Sequence, residues 1–209
     1  MNNNKICYII GAGEFYPNGL APGPGDLIIA ADGGYAHLQG CGIEPDIVIG
    51  DFDSLPEQPV HPNIIKLNKE KDCTDTFAAL NAGLREGHNV FHIYGGTGGR
   101  ADHTHANIQS LVYLARNGAR GLLFGKDYII TAIRNTTVYF DSGYNGYISV
   151  FAHSGAAKGV YLKGLKYELE NAELSDAVPL GVSNEFTGVE SSVTVKDGTL
   201  VIIFPINPT

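Results

Sequence analysis

Apolar residues come in short runs along the first part of the chain, and each run ends on glycine or aspartate. Runs at residues 5–10, 27–31, 47–49, 90–94 and 121–124 are rich in Ile, Val, Leu or aromatics and have strand length. Between them the period changes. Phe77, Leu80 and Leu84 recur at helical spacing, which predicts a helix that opens at Thr74 or Asp75, runs to about residue 86 and stops at Gly87. Ile108, Leu111, Val112 and Ala115 predict a second helix over about 103–117, closed by Gly118. Alternating strands and helices imply a parallel sheet covered on both faces, with ligands bound beyond the carboxyl ends of its strands. The polar motifs of the chain fall there, each directly after an apolar run.

The pattern changes after about residue 125. Segments 128–133, 137–140, 147–151, 193–196 and 200–204 read as strands without long helices between them, which predicts a small β-sandwich or barrel. Asp197-Gly198, between the last two, predicts a hairpin. The boundary between the two regions is expected near residues 125–135.

Composition narrows the class. Of 209 residues, 44% are hydrophobic and 17% charged, a globular balance rather than a disordered one. No apolar run approaches the ~20 residues of a membrane span. The opening Met1-Asn2-Asn3-Asn4-Lys5 lacks the apolar core of a signal peptide. Three cysteines, Cys7, Cys41 and Cys73, show no CxxC spacing, so reduced thiols in a cytoplasmic protein are expected. The formal net charge of -8 argues against nucleic acid as a partner. It also implies that a polyphosphate entering an acidic site needs a cation between the two.

Three clusters carry candidate chemistry. In Gly50-Asp51-Phe52-Asp53-Ser54, an extended backbone would point Asp51 and Asp53 to one face. Two carboxylates at ~4 Å and an effective dielectric of about 20 repel by about 4 kcal/mol, which a cation would offset. Oxygen-only donors suit Mg2+. A solvated turn with a capping aspartate accounts for the motif equally well. In Lys69-Glu70-Lys71-Asp72-Cys73-Thr74-Asp75, Thr74 suits a helix N-cap and Asp75 the positive end of the helix dipole. Lys69 or Lys71 could meet phosphate oxygens, and Asp72 could complete a metal site. In Gly95-Gly96-Thr97-Gly98-Gly99-Arg100-Ala101-Asp102-His103, the glycines let backbone N–H groups converge on an anion at a helix N-terminus. Arg100 can fork onto phosphate, and His103 and Asn107 share a helical face. Gly11-Ala12-Gly13 is a tight turn after a strand but lacks the third glycine of a dinucleotide fingerprint, since residue 16 is Tyr. His103 and His105 lack the spacing of a zinc site, and no GxxxxGK[ST] loop is present.

Taken together the chain resembles the thiamine pyrophosphokinases. The matching pieces, in order, are Ala31-Asp32-Gly33-Gly34, Pro45-Asp46 with Gly50-Asp51-Phe52-Asp53-Ser54, Lys71-Asp72-Cys73-Thr74-Asp75, Gly98-Gly99-Arg100-Ala101-Asp102-His103 with Ala106-Asn107-Ile108, and Gly181-Val182-Ser183-Asn184-Glu185. The resemblance implies an α/β fold: an N-terminal Rossmann-like parallel-sheet domain (1–130) for ATP and Mg2+, and a C-terminal antiparallel β-sandwich (131–209) for thiamine. It implies a homodimer with the active site at the subunit interface, and the reaction ATP plus thiamine giving AMP and thiamine diphosphate. By the same resemblance Asp51, Asp53 and Asp72 hold Mg2+, and Asp75 and Asp102 join them in the catalytic set. Asp32, Gly33, Lys71, Gly98, Gly99, Arg100, His103 and Asn107 face ATP; Ser183, Asn184 and Glu185 face thiamine. Asp72 or Asp75 would accept the hydroxyl proton.

Two departures stand out. Phe77 occupies a position where relatives often carry Glu, and is expected to pack in the core. The chain has no Trp to stack on thiamine, so Phe186 or a tyrosine is expected there. A pyrophosphokinase for another primary alcohol, such as a hydroxymethyl-pterin, would share the phosphate half. A non-catalytic thiamine- or nucleotide-binding regulator would gain little from five carboxylates.

Overall fold

A computed structural model of the chain describes residues 5–52, 59–68, 70 and 72–206. It divides into two units, the first of residues 1–110 and 118–126, the second of residues 111–117 and 127–209.

The first unit carries β1 (Ile6–Ile10), β2 (Leu27–Ala31), α1 (Gly34–Cys41), β3 (Ile47–Gly50), β4 (Ile64–Lys66), α2 (Asp75–Arg85), β5 (Val90–Tyr94), the start of α3 (Ala101–Arg116) and β6 (Arg120–Phe124). Its strands pair in parallel in the order β6-β5-β1-β2-β3-β4. The chain leaves β1 towards one edge through β2, β3 and β4, then returns to place β5 on the other side of β1. The crevice beyond the ends of β1 and β5 is therefore a topological switch point, the usual ligand position in such sheets.

The central strands read as continuous apolar runs because both faces are covered. On one face Gly83 of α2 approaches so closely that an added Cβ would lie 2.6 Å from Cys7 Sγ and 2.7 Å from the Phe91 ring. Burial there pushes the Cys7 thiol up to about 12. The other face is aromatic: Tyr94 stacks on Phe124 at 4.4 Å and Tyr8 meets His92 edge-on at 5.4 Å. The connection 11–26 lies over it, accepting hydrogen bonds from Tyr8 Oη at Ala21 O (3.3 Å) and from Tyr94 Oη at Asn18 O (3.5 Å). Burial, helped by the Arg120 charge, lowers the His92 pKa to about 4.

The second unit is antiparallel, with β7 (Tyr128–Arg134), β8 (Thr137–Phe140), β9 (Tyr147–Lys163), β10 (Leu169–Leu174), β11 (Asn184–Glu185) and β12 (Ser191–Pro205). β12 pairs with β9 almost throughout; on its other edge its first part pairs with β8 and its second with β7. Asp197-Gly198 is therefore not a hairpin. The two predicted strands flanking it are one strand, and the dipeptide marks a register shift between Asp197 and Thr199. Gly198 takes φ +117°, and its N–H donates to Asn135 Oδ1 at 2.9 Å. The special backbone that Asp-Gly permits is spent on a bulge, which bends the strand instead of reversing it. The bend is large. Fully extended, the fifteen residues of β12 would span ~50 Å. Yet Phe140, which pairs with Ser191 at one end of β12, touches Phe204 near the other, ring centroids 5.1 Å apart.

Three other expectations shift. The strand expected at 147–151 continues to Lys163, α3 starts at Ala101 rather than 103, and α1, β4, β10 and β11 form where the hydrophobic periodicity predicts no element.

Candidate functional site

A cavity of about 300 Å³ opens in the first unit beyond the ends of β1, β2 and β5. Two loops form one wall, Gly11–Glu14 after β1 and Gly95–Arg100 after β5. They are zipped by backbone hydrogen bonds, from Gly11 N to Tyr94 O (2.8 Å), Gly13 N to Gly95 O (2.7 Å) and Glu14 N to Thr97 O (2.9 Å). The approach requires glycine. A Cβ on Gly13 would sit 2.7 Å from both Gly95 O and Thr97 O, and Gly95 holds φ +62° with the Gly11 backbone against it. Of the expected residues, Asp32, Asp75, Gly98, Gly99, Arg100, His103 and Asn107 line this cavity. Ala12, Gly13, Thr76, Gly96 and Thr97 join them. Of these five, Thr76 alone lies outside the glycine segments singled out in the sequence.

Asn107 holds the wall from behind. It is 4% exposed, and its Nδ2 donates to Gly96 O at 2.8 Å. Thr74 caps α2, its Oγ1 accepting from Phe77 N–H at 3.1 Å, and sets Thr74, Asp75 and Thr76 at the cavity. Phe77 is half-buried rather than in the core.

The acidic residues divide. Asp32 and Asp75 line the cavity. Asp32 turns out of β2 at φ +49°, its N–H donating to Ile49 O at 2.8 Å. Asp51 leaves the neighbouring β3 and is half-buried; Asp72 is exposed, and neither lines the cavity. Phe52 takes φ +62° with its ring buried beside Gly50. The backbone therefore leaves the extended conformation at Phe52. An αL aromatic is rare and costs about 1–3 kcal/mol, which burial of the ring offsets. Asp53 and Lys71 lie outside the described residues, as do Ser54 and Lys69. Among the described residues no group of three or more His, Cys, Asp or Glu side chains is placed to hold a metal ion. For a cation the cavity offers oxygen donors, the carboxylates of Asp32 and Asp75, three threonine hydroxyls and backbone, beside the imidazole of His103. That set fits a cation which takes one or two protein carboxylates and fills its shell with phosphate oxygens and water.

Arg100 and Asp102 form a two-pronged pair, Nε to Oδ1 at 3.1 Å and Nη2 to Oδ2 at 2.6 Å. Asp102 Oδ1 also accepts from His103 N–H at 3.0 Å. The Arg100 hydrogen bonds, with smaller help from His103, hold the Asp102 carboxyl down at about 2. Asp102 itself does not line the cavity; it aims Arg100, which does.

In the second unit, Asn184 is buried and its amide is used structurally. Oδ1 accepts from Tyr167 N and Glu185 N, both at 2.9 Å, and Nδ2 donates to Tyr167 O at 2.7 Å. Glu185 pairs with Lys166 Nζ at 2.7 Å. Ser183 is exposed at φ +56°, its N–H donating to Ser149 Oγ at 3.1 Å. Phe186 is buried against Phe140 and Tyr144 in an aromatic cluster, so an exposed aromatic must be sought elsewhere, as in Tyr167 at 60% exposure.

Comparison with known proteins agrees along the chain. Residues 24–122 match the family model "Thiamin pyrophosphokinase, catalytic domain", and residues 135–200 match "Thiamin pyrophosphokinase, vitamin B1 binding domain". A thiamine pyrophosphokinase of Bacillus subtilis is 32% identical over 184 residues, covering 85% of this chain and 86% of that one. A Caenorhabditis elegans thiamin pyrophosphokinase is 26% identical, covering 76% of this chain and 68% of its own length. A crystal structure of thiamine pyrophosphokinase from B. subtilis superposes with a TM-score of 0.88 at 27% identity, covering 98% of this chain and all of that one. One from Geobacillus thermodenitrificans gives 0.83 at 26%, covering 98% and 99%.

Proposed function

The chain belongs to the thiamine pyrophosphokinase family, and on that premise we propose that it transfers the terminal pyrophosphoryl group of ATP to the hydroxyl of thiamine, giving thiamine diphosphate and AMP. The observation that carries the reading is the cavity at the switch point, where the zipped glycine loops, Arg100 and the carboxylates of Asp32 and Asp75 meet. A triphosphate placed there would lie on backbone N–H groups, with Arg100 on its oxygens.

Asp51, Asp53 and Asp72 of the expected set would hold Mg2+, with Asp32 at the cavity beside them. Bound there, Mg2+ supplies charge neutralisation of the phosphates. The chain's own residues do the rest. The loops and Arg100 align the β-phosphorus for in-line attack by thiamine's hydroxyl oxygen, as the bond from the β-phosphorus to the oxygen of AMP breaks. Asp75, at the cavity and on a helix N-terminus, accepts the hydroxyl proton on a carboxylate oxygen. Asp102 keeps Arg100 aimed.

Residues 1–130 serve as the Rossmann-like ATP domain and residues 131–209 as a thiamine-binding β-sandwich. The folding-over of β12 supports the sandwich. We read the protein as a cytoplasmic homodimer with the active site at the subunit interface. Exposed Val178, Leu180 and Val182 on the second unit and three unpaired cysteines are consistent with it. No described helix is long and apolar enough to cross a membrane.

The test is incubation with ATP, Mg2+ and thiamine. AMP and thiamine diphosphate in equal amounts are expected. ADP as the nucleotide product, or no product with thiamine while another primary alcohol reacts, would overturn the assignment.

A further inference from the structure

The first turns of α1 run along the loop that follows β1. Gly34 packs directly on the Ile10 carbonyl, where no Cβ fits, and a Cβ on Gly33 would lie 3.0 Å from Ala12 Cβ. One turn further on, His37 Nε2 lies 3.1 Å from Gly13 O. A carbonyl only accepts, so Nε2 carries the proton and donates it. The imidazole is held flat against Phe15, centroids 4.8 Å apart and planes 11° from parallel. Phe15 in turn meets Tyr94 edge-on at 6.5 Å, at the base of the second cavity loop.

Gly13 is the middle of the zipper. Its N–H is committed to Gly95 O, and its carbonyl is taken by His37. With both backbone groups engaged, the glycine, whose freedom in φ is otherwise the widest of any residue, is fixed. Ala12 and Gly13 line the cavity, while His37 does not. The histidine therefore acts through the loop.

We infer that His37 is a positioning residue for the nucleotide: its Nε2–H, braced by Phe15, locks Gly13 so that the β1 and β5 loops present one preformed phosphate-binding wall. The inference rests on the reading of this cavity as the ATP site. Preorganisation of this kind governs how tightly the anion is held more than the transfer step once it is bound.

The test is steady-state kinetics on four proteins, with AMP production by the wild type established first; a wild type that makes no AMP sinks the functional reading itself. His37→Ala is expected to raise the KM for ATP by about tenfold, with kcat and the KM for thiamine within about twofold. His37→Phe keeps a ring on Phe15 but no donor, and should behave like His37→Ala. His37→Gln can place an amide N–H near the position of Nε2 and should return the KM for ATP to within about threefold of wild type. The inference is overturned if His37→Phe binds ATP like the wild type, if His37→Gln is as impaired as His37→Phe, or if kcat and both KM values change together. Should His37→Ala fail to fold, the Phe and Gln pair decides.

Discussion

The side chain of Asn107 reaches from α3 to the glycine loop, its Nδ2 2.8 Å from the carbonyl oxygen of Gly96. The contact is buried and polar, so removing one partner leaves a desolvated carbonyl, at a cost of about 1–3 kcal/mol. Asn107→Leu is expected to lose about that much stability in urea unfolding. It should also raise the KM for ATP several-fold, because the wall it supports is the one that meets phosphate. Loss of stability with an unchanged KM would show that the loop holds its shape without this tether.

Asp51 and Asp75 separate by role. Asp51→Asn should abolish turnover and leave the fold intact; near-wild-type rates at limiting Mg2+ would remove it from the metal site. Asp75→Asn should lower kcat by about 10²–10⁴-fold, the usual contribution of a general base, with the KM for ATP little changed. Circular dichroism and a Mg2+ titration of both variants distinguish the two outcomes.

His92 makes stability depend on pH. Its folded pKa lies near 4 against the ordinary 6.5, because burial beside Tyr8 and Phe124 disfavours the imidazolium and the Arg120 charge repels it. On acidification the unfolded chain takes up the proton first. The stabilisation from the neutral ring is complete above about pH 6.5 and is lost progressively as pH falls towards 4, a change on the order of 3 kcal/mol. Urea midpoints across pH 5–7 should fall with acid in the wild type, and His92→Phe should flatten that slope. An equal slope in both proteins would place the pH dependence on other groups.

The bend of β12 gives a prediction confined to the second unit. Gly198→Ala puts a methyl within 2.9 Å of the Ala157 Cα at a backbone angle that favours glycine. A loss of about 1–3 kcal/mol is expected. Phe204→Ala removes the ring that meets Phe140 across the fold, for about 3–5 kcal/mol. Thermal unfolding measures both, and a shift under about 1 kcal/mol for Phe204→Ala would mean the aromatic cluster is not part of the core.

The alternation of short apolar runs with a 3.6-residue period made β1, β2, β3, β5, β6 and α2 legible, since parallel strands buried on both faces read as unbroken Ile, Val and Leu. α1 was not legible. Gly34-Tyr35-Ala36-His37-Leu38-Gln39-Gly40-Cys41 has two glycines and little amphipathic pattern, and close packing on Ile10 holds it in place of propensity. Asp197-Gly198 misled for a related reason: the dipeptide reports which backbone angles are allowed, and β9 and Asn135 decide whether the chain turns or bulges. At the site, the residue types were readable and their partners were not. Asp102 sits in the motif as expected, but its engagement with Arg100 follows from side-chain reach. Asn184 belongs to a matching motif, yet its amide is occupied by the Tyr167 backbone. The chemical half of Gly50-Asp51-Phe52 was visible; the αL turn at Phe52 depends on a ring finding room beside Gly50.

β12 carries a further consequence. One continuous strand forms ladder bonds with β9 along most of its length and with β8 and β7 in turn, so β12 ties the described strands on both sides of its bulge together. Freeing β8 exposes one edge of the same strand whose other half anchors β7. Amide protons at Val193 and Val195 before the bulge should then exchange through the same opening as those at Val201 and Ile203 after it. The bulge that bends the strand makes two sheet halves into a single cooperative element.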